Sequence, residues 1–277
     1  MAELPLTAAS SRTSLLRDAA LLCDCADGFV LTDNQYGQPH MSPGYAAGIL
    51  RTHDFPPVLQ ISSRNRNRIA LIGEILGARA TGIDTLMLVR GAILPEGYEP
   101  RPAAVMDTDA KDLIATVKLL NEDESLGPGG EILIGTSATV HDPSPDRIPG
   151  ELLAKADAGA QFAITQICLN LDVLRRYMNF LVGHKVLQRL SVVVSIALIT
   201  SHELALWLRD NRHGTIIAGH YIERLAAAQD PEAAAIEYTA ALVSDIAKIP
   251  GVAGVNFAAA GDLPLIPRVL AAAGIRG

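Results

Sequence analysis

Residues 154–166 read AKADAGAQFAITQ, and this stretch decides the fold. It carries the end of a helical pattern, LLAKADAG, into a short apolar run, FAIT, and stops at the polar Gln166. Gly159 is the break, because a residue without a Cβ takes the backbone angles that end helices. A helix leading directly into a strand with no polar face is the local pattern of a parallel α/β protein. There, a polar side chain at the carboxyl end of a buried strand points into the ligand crevice. Gln166 is thus a candidate to hydrogen-bond a ligand, and Lys155 a candidate to reach an anion. The competing reading is a plain helix–strand joint with a solvated lysine.

The same unit recurs on both sides. Strand-like runs are AELPL (2–6), GFVLT (28–32), PVLQI (57–61), TLMLV (85–89), EILIG (131–135), FAIT (162–165), SVVVSIA (191–197) and GVNFA (254–258). Helical patterns lie near 12–23, 43–52, 66–79, 108–120, 149–157, 170–183, 201–211, 218–229, 232–247 and 263–273. Most runs are continuously apolar, as strands covered on both faces are. Eight strands alternating with helices predict a (β/α)8 TIM barrel of the α/β class, one domain over residues 1–277. An open doubly wound sheet would more often show a glycine-rich phosphate turn after its first strand, and here that turn reads LTAASSRTS.

Composition narrows the function classes. A net charge of −7 and a pI near 5.5 argue against nucleic acid and anionic membrane surfaces as partners. The longest apolar run, VVVSIALI at 192–199, is too short to cross a bilayer. Cys23, Cys25 and Cys168 form an odd set without C-x-x-C spacing, which suggests reduced thiols and a cytoplasmic setting. The N-terminus has no basic segment followed by an apolar core, so no signal peptide is expected.

Polar loops follow the strands: 32–43, 62–68, 90–102 and 136–150. They carry donors, guanidiniums and backbone amides but few acids, which suits a phosphate-bearing cofactor better than a divalent metal. The histidines are scattered, and no metal site is expected. Glu3, in the first strand among apolar neighbours, would act as a proton donor at a barrel mouth, or else fray into water. Arg64, Arg66 and Arg68 alternate after the third strand and answer either phosphates or carboxylates such as Glu74. Arg90 and Gly91 end the fourth strand, as a ligand-orienting pair or a structural turn. His141 sits in a proline-rich loop. Trp207 stacks on a ring or belongs to the core. The segment 216–228 is an interface stripe between copies or a helix packed on the barrel.

Taken together, these segments resemble the methylenetetrahydrofolate reductase family of flavoprotein barrels. The matching text is AEL (2–4), LTDN (31–34), MSP (41–43), VLQISSRNRNRIAL (58–71), LVRG (88–91), VHDP (140–143), KADAGAQFAITQ (155–166) and LITSHELALWLR (198–209). The resemblance implies FAD across the carboxyl face of the barrel. It also implies hydride transfer between the reduced flavin and the one-carbon unit of methylenetetrahydrofolate, giving methyltetrahydrofolate, with NADH or NADPH as electron partner. Glu3 matches the family's catalytic acid, kept protonated by an apolar mouth. Gln166 matches the glutamine that binds the pterin, and Trp207 falls near the aromatic that stacks on folate or nicotinamide. Thr32, Gln60, Arg90, Gly91, Met106, Asp107, Gly135, Ser137, His141 and Lys155 fall where FAD contacts occur.

Two departures stand out. The family usually reads R-G-D after the fourth strand, where this chain has Arg90, Gly91 and Ala92. An aspartate there disfavours anionic reduced flavin, so Ala92 predicts easier flavin reduction and oxidation of methyltetrahydrofolate. Gly261 and Asp262 stand where many relatives carry a basic residue for the folate tail. The rival readings are a pterin-binding methyltransferase without a redox step and a non-catalytic flavin-binding barrel.

Overall fold

The computed structural model describes residues 1–34, 37–91, 102–126, 130–144 and 146–275. Eight strands close into a parallel barrel: β1 (Ala2–Glu3), β2 (Phe29–Leu31), β3 (Pro57–Ser62), β4 (Thr85–Val89), β5 (Leu133–Ala138), β6 (Phe162–Thr165), β8 (Ser191–Ile196) and β10 (Val252–Phe257). Closure is made by the shortest strand, since Ala2 is in register with both Phe29 and Phe257. The helices are α1 (Arg12–Leu22), α2 (Pro43–Arg51), α3 (Arg68–Ala80), α4 (Ala110–Glu122), α5 (Gly150–Ala158), α6 (Leu171–Gly183), α7 (His202–Asn211), α8 (Gly219–Ala227), α9 (Pro231–Ile246) and α10 (Ile266–Ala272).

Two apolar layers follow from the alternation of side chains along each strand. Val30, Val58, Met87, Val89, Phe162, Ile164 and Val193 fill the barrel interior. The opposite faces, among them Leu31, Leu59, Ile61, Leu86, Leu88 and Val194, pack under the helices. Polar residues at the loop–helix joints start the helices: Asn67, Asp109, Asn170 and Ser201 each accept a backbone N–H from the first turn.

The barrel and its strand–helix order are those expected, with local differences. β1 ends at Glu3 rather than running to residue 6. β5 starts two residues into the EILIG run, at Leu133, because the Asn121 side chain holds both the N–H and the C=O of Ile132, tying that residue to α4. Residues 216–217 leave the expected helix and form β9 (Ile216–Ile217), which pairs with β7 (Cys168–Leu169) in a small parallel ribbon. A two-residue strand leaves no periodicity to read. The helix that follows, α8, buries Tyr221, Ile222 and Leu225 against the body of the protein. Among the described residues no helix is long and apolar enough to cross a membrane, and all three cysteines are free thiols.

Candidate active site

The carboxyl ends of the strands gather the polar residues. Glu3 ends β1 and is 5% exposed, so it is neither frayed nor solvated. Its surroundings correct the expectation of an apolar mouth. Oε1 accepts a hydrogen bond from Asn256 Nδ2 at 3.2 Å, and Oε2 accepts one from the Ala259 backbone N–H at 3.0 Å. Arg212 Nη2 stands 4.0 Å from Oε1. The Asn256 amide and the Ala259 N–H hold the two carboxyl oxygens, with the Arg212 guanidinium alongside. Asn256 also donates to Ser195 Oγ at 3.0 Å, and the Ser195 backbone N–H donates to Thr165 Oγ1 at 2.9 Å. One buried polar chain therefore runs across β1, β10, β8 and β6. Asn256, Ser195 and Arg212 were not recognised from the sequence. Ser195 and Asn256 sit inside strands whose overall pattern is apolar, and Arg212 is the residue that ends α7.

Gln166 follows β6 and is half-buried, its backbone N–H donating to Ala138 O at 2.8 Å. The segment 212–217 passes close above it. Gly214 has φ +77°, and a Cβ there would stand 3.1 Å from Gln166 Cγ and 3.2 Å from Thr139 Cγ2. The β7–β9 ribbon fixes this segment, because Ile216 N–H donates to Ile167 O next to Gln166. One short strap thus touches Glu3 through Arg212 and Gln166 through Gly214.

On the β4–β5 side, a cavity of about 310 Å³ is lined by residues including Arg90, Asp109, Lys111, Ser137, Glu151 and Lys155. Lys155 is 7% exposed, which removes the solvated-lysine reading. Its Nζ donates to Ser137 O at 2.9 Å and pairs with Glu151 at 2.7 Å. A larger apolar cavity of about 430 Å³ lies at the opposite end of the barrel, lined by the starts of β1 and β10 and by α9 and α10, away from these polar groups. His141 leans on Tyr177, with ring centroids 5.2 Å apart. Its Nδ1 lies 3.2 Å from Thr139 O, while its buried Nε2 has no partner among the described residues. Burial beside this ring pushes the Tyr177 phenol up to about 12.

Other expected contacts have jobs within the protein. The Arg66 guanidinium pairs with the buried Asp33, which also accepts the Ser62 backbone N–H at 2.7 Å. Arg64 is 1% exposed and donates to Asn34 O and Asn65 Oδ1. Arg68 meets Asp107, whose carboxylate accepts the Arg68 backbone N–H at 2.9 Å. Glu74 instead lies against Gly44, so it is not the partner of these arginines. Gly91 has φ +87°, and a Cβ there would stand 2.6 Å from Ser62 Oγ, so what approaches its backbone is the end of β3. Gly135 makes room for the Phe162 ring inside the barrel. Thr32 is buried and Gln60 half-buried, near the ends of β2 and β3, while Met106 is half-buried at φ +47°. Arg90 is exposed at the end of β4. Trp207 is 47% exposed on α7 rather than in the core. Ala92 lies outside the described residues.

A closed parallel barrel alternating with helices defines a (β/α)8 protein, a fold whose active sites sit at the carboxyl ends of the strands. The family model for methylenetetrahydrofolate reductase matches residues 8–271, and the chain belongs to that family. Among solved structures it is similar to an uncharacterized protein from Clostridium thermocellum that binds two copies of 5-methyl-5,6,7,8-tetrahydrofolic acid. That similarity has a TM-score of 0.66 and 12% identity, covering 99% of this chain and 93% of that one. It is also similar to DmoA from Hyphomicrobium sulfonivorans, with a TM-score of 0.59 and 10% identity, covering 96% of this chain and 83% of that one. At such identities these likenesses speak for the fold. Comparison with curated proteins returned no match.

Proposed function

We propose that this protein is an FAD-dependent oxidoreductase that interconverts 5,10-methylenetetrahydrofolate and 5-methyltetrahydrofolate, with NADH or NADPH as electron partner. The observation that carries the reading is Glu3, a buried carboxyl at the barrel's ligand end in a chain of this family.

The residues present fit a cofactor with a diphosphate. The β4–β5 cavity has three cations (Arg90, Lys111 and Lys155) against two acids (Asp109 and Glu151), and it opens at the N-terminus of the thirteen-residue α4. The unpaired Nε2 of His141 and the groups of Ser137, Gln60 and Thr32 extend this donor set along the rim. When bound, FAD supplies a two-electron carrier that gives or takes hydride.

Glu3 moves the proton. In the reductive direction its carboxyl protonates N10 of the substrate: the N10–H bond forms, the bond from N10 to the bridging carbon breaks, and that bond's electron pair stays on N10. Asn256 Nδ2 and the Ala259 N–H then stabilise the carboxylate left behind. In the oxidative direction the carboxylate takes the N10 proton. Ala92 in place of the family aspartate favours oxidation of methyltetrahydrofolate. Gln166, half-buried beside the strap, holds the pterin, and the strap excludes water above it.

A pterin-binding methyltransferase without a redox step is the second reading, kept in view by the fold neighbour that binds methyltetrahydrofolate. Anaerobic titration of the purified protein separates the two. The oxidoreductase reading expects bound flavin that NADH or NADPH bleaches and methylenetetrahydrofolate restores. Protein that neither carries nor takes up flavin rules it out.

A further inference from the structure

Arg212 caps the C-terminus of α7, and its side chain is 11% exposed. A guanidinium carries five N–H donors and is costly to bury without acceptors. The Glu3 oxygen at 4.0 Å is beyond hydrogen-bond reach. Among the described residues no other acceptor meets the guanidinium. Two more polar groups nearby are short of partners. Thr215, whose backbone N–H donates to Arg212 O at 3.1 Å, has a buried hydroxyl with none, and so does Oδ1 of Asn256, the residue that holds Glu3. Native interiors satisfy nearly all buried polar atoms, so such a group clustered at a barrel mouth marks where a ligand supplies the missing partners.

The strap sets which part of the ligand this is. Arg212 lies beside Glu3 at one end, and Gly214 presses on Gln166 at the other. In a reduced pterin the C4 oxo oxygen stands peri to N5, next to the bridge between N5 and N10 where the proton moves. A donor beside the proton-transfer group is therefore placed to meet that oxygen. We propose that Arg212 is a substrate-binding residue that donates to the C4 oxo group of the pterin and selects ligands that present an acceptor there. The inference rests on the folate reading above.

The test is anaerobic calorimetry of the purified protein with tetrahydrofolate and with 4-amino-4-deoxytetrahydrofolate. The second ligand puts an N–H donor where Arg212 needs an acceptor. Wild-type protein is expected to prefer the oxo compound by about tenfold or more. Arg212→Met is expected to lose about tenfold in affinity for the oxo compound and little for the amino compound, erasing the preference. Arg212→Lys, which keeps a donor, is expected to recover part of it. Arg212→Met protein that keeps both affinity and preference overturns the inference while leaving the folate reading intact. Equal loss of both ligands also overturns it, since that is a structural role. Wild-type protein that binds neither compound overturns the folate reading and this inference with it.

Discussion

The two halves of the barrel rim are built differently. Beyond β2 and β3, charges are answered within the chain: Arg66 by Asp33, Arg68 by Asp107, and Arg64 by Asn34 and Asn65. Beyond β1, β6 and β10, the Thr215 hydroxyl and Asn256 Oδ1 are buried without a partner among the described residues, and the Arg212 guanidinium has only the Glu3 oxygen at 4.0 Å. Under the proposed function the contrast separates scaffold from site: satisfied networks hold loops in one arrangement, and the unsatisfied groups are where the ligand is expected to bind. Both halves are rich in polar side chains, so the count of charges alone does not tell them apart.

The largest expected effect falls on the unsatisfied side. Glu3→Gln keeps the shape and removes the titrating proton. Folate-dependent turnover should fall about 10³-fold while flavin reduction by nicotinamide persists, as read by stopped-flow absorbance. Undiminished folate turnover would show that the proton comes from elsewhere. On the satisfied side the expected loss is of stability. Asp33→Ala strands the Arg66 charge and the Ser62 N–H, and should cost about 3 kcal/mol in denaturant unfolding. A cost near zero would mean that the clamp is not what holds the rim. Gly135→Ala pushes a methyl into the Phe162 ring and should cost about 2 kcal/mol by the same measurement, with ligand binding retained. If binding falls and stability holds, the glycine serves the ligand instead.

The smallest effect lies outside both halves. Burial pushes the Cys168 thiol up to about 11, while Cys23 is exposed. The thiolate is the reactive form, so iodoacetamide at mildly alkaline pH should label Cys23 and spare Cys168 until the protein is unfolded. Mass spectrometry of the labelled peptides reads this directly, and early Cys168 labelling would mean that the β7–β9 ribbon opens in the folded protein.

The amino-acid sequence by itself determined the barrel. Its strands are apolar on both faces and bounded by turns and caps, so TLMLV and FAIT were legible to the residue. It also brought Gln166 forward as a polar residue at the end of an apolar run, and Glu3 as a carboxyl among apolar neighbours in the first strand. What only the tertiary structure decided is who meets whom. Asn256 lies 253 positions from Glu3 along the chain, and its hydrogen bond exists only because β10 closes against β1. The Arg64, Arg66 and Arg68 triplet looked equally suited to phosphates and carboxylates until the folded rim supplied Asp33 and Asp107. Arg212 comes to the mouth only because the β7–β9 ribbon fixes the strap there. Apolar periodicity is a local property and survives in a string of letters, whereas partnership between polar groups depends on distances that arise only when the chain closes on itself.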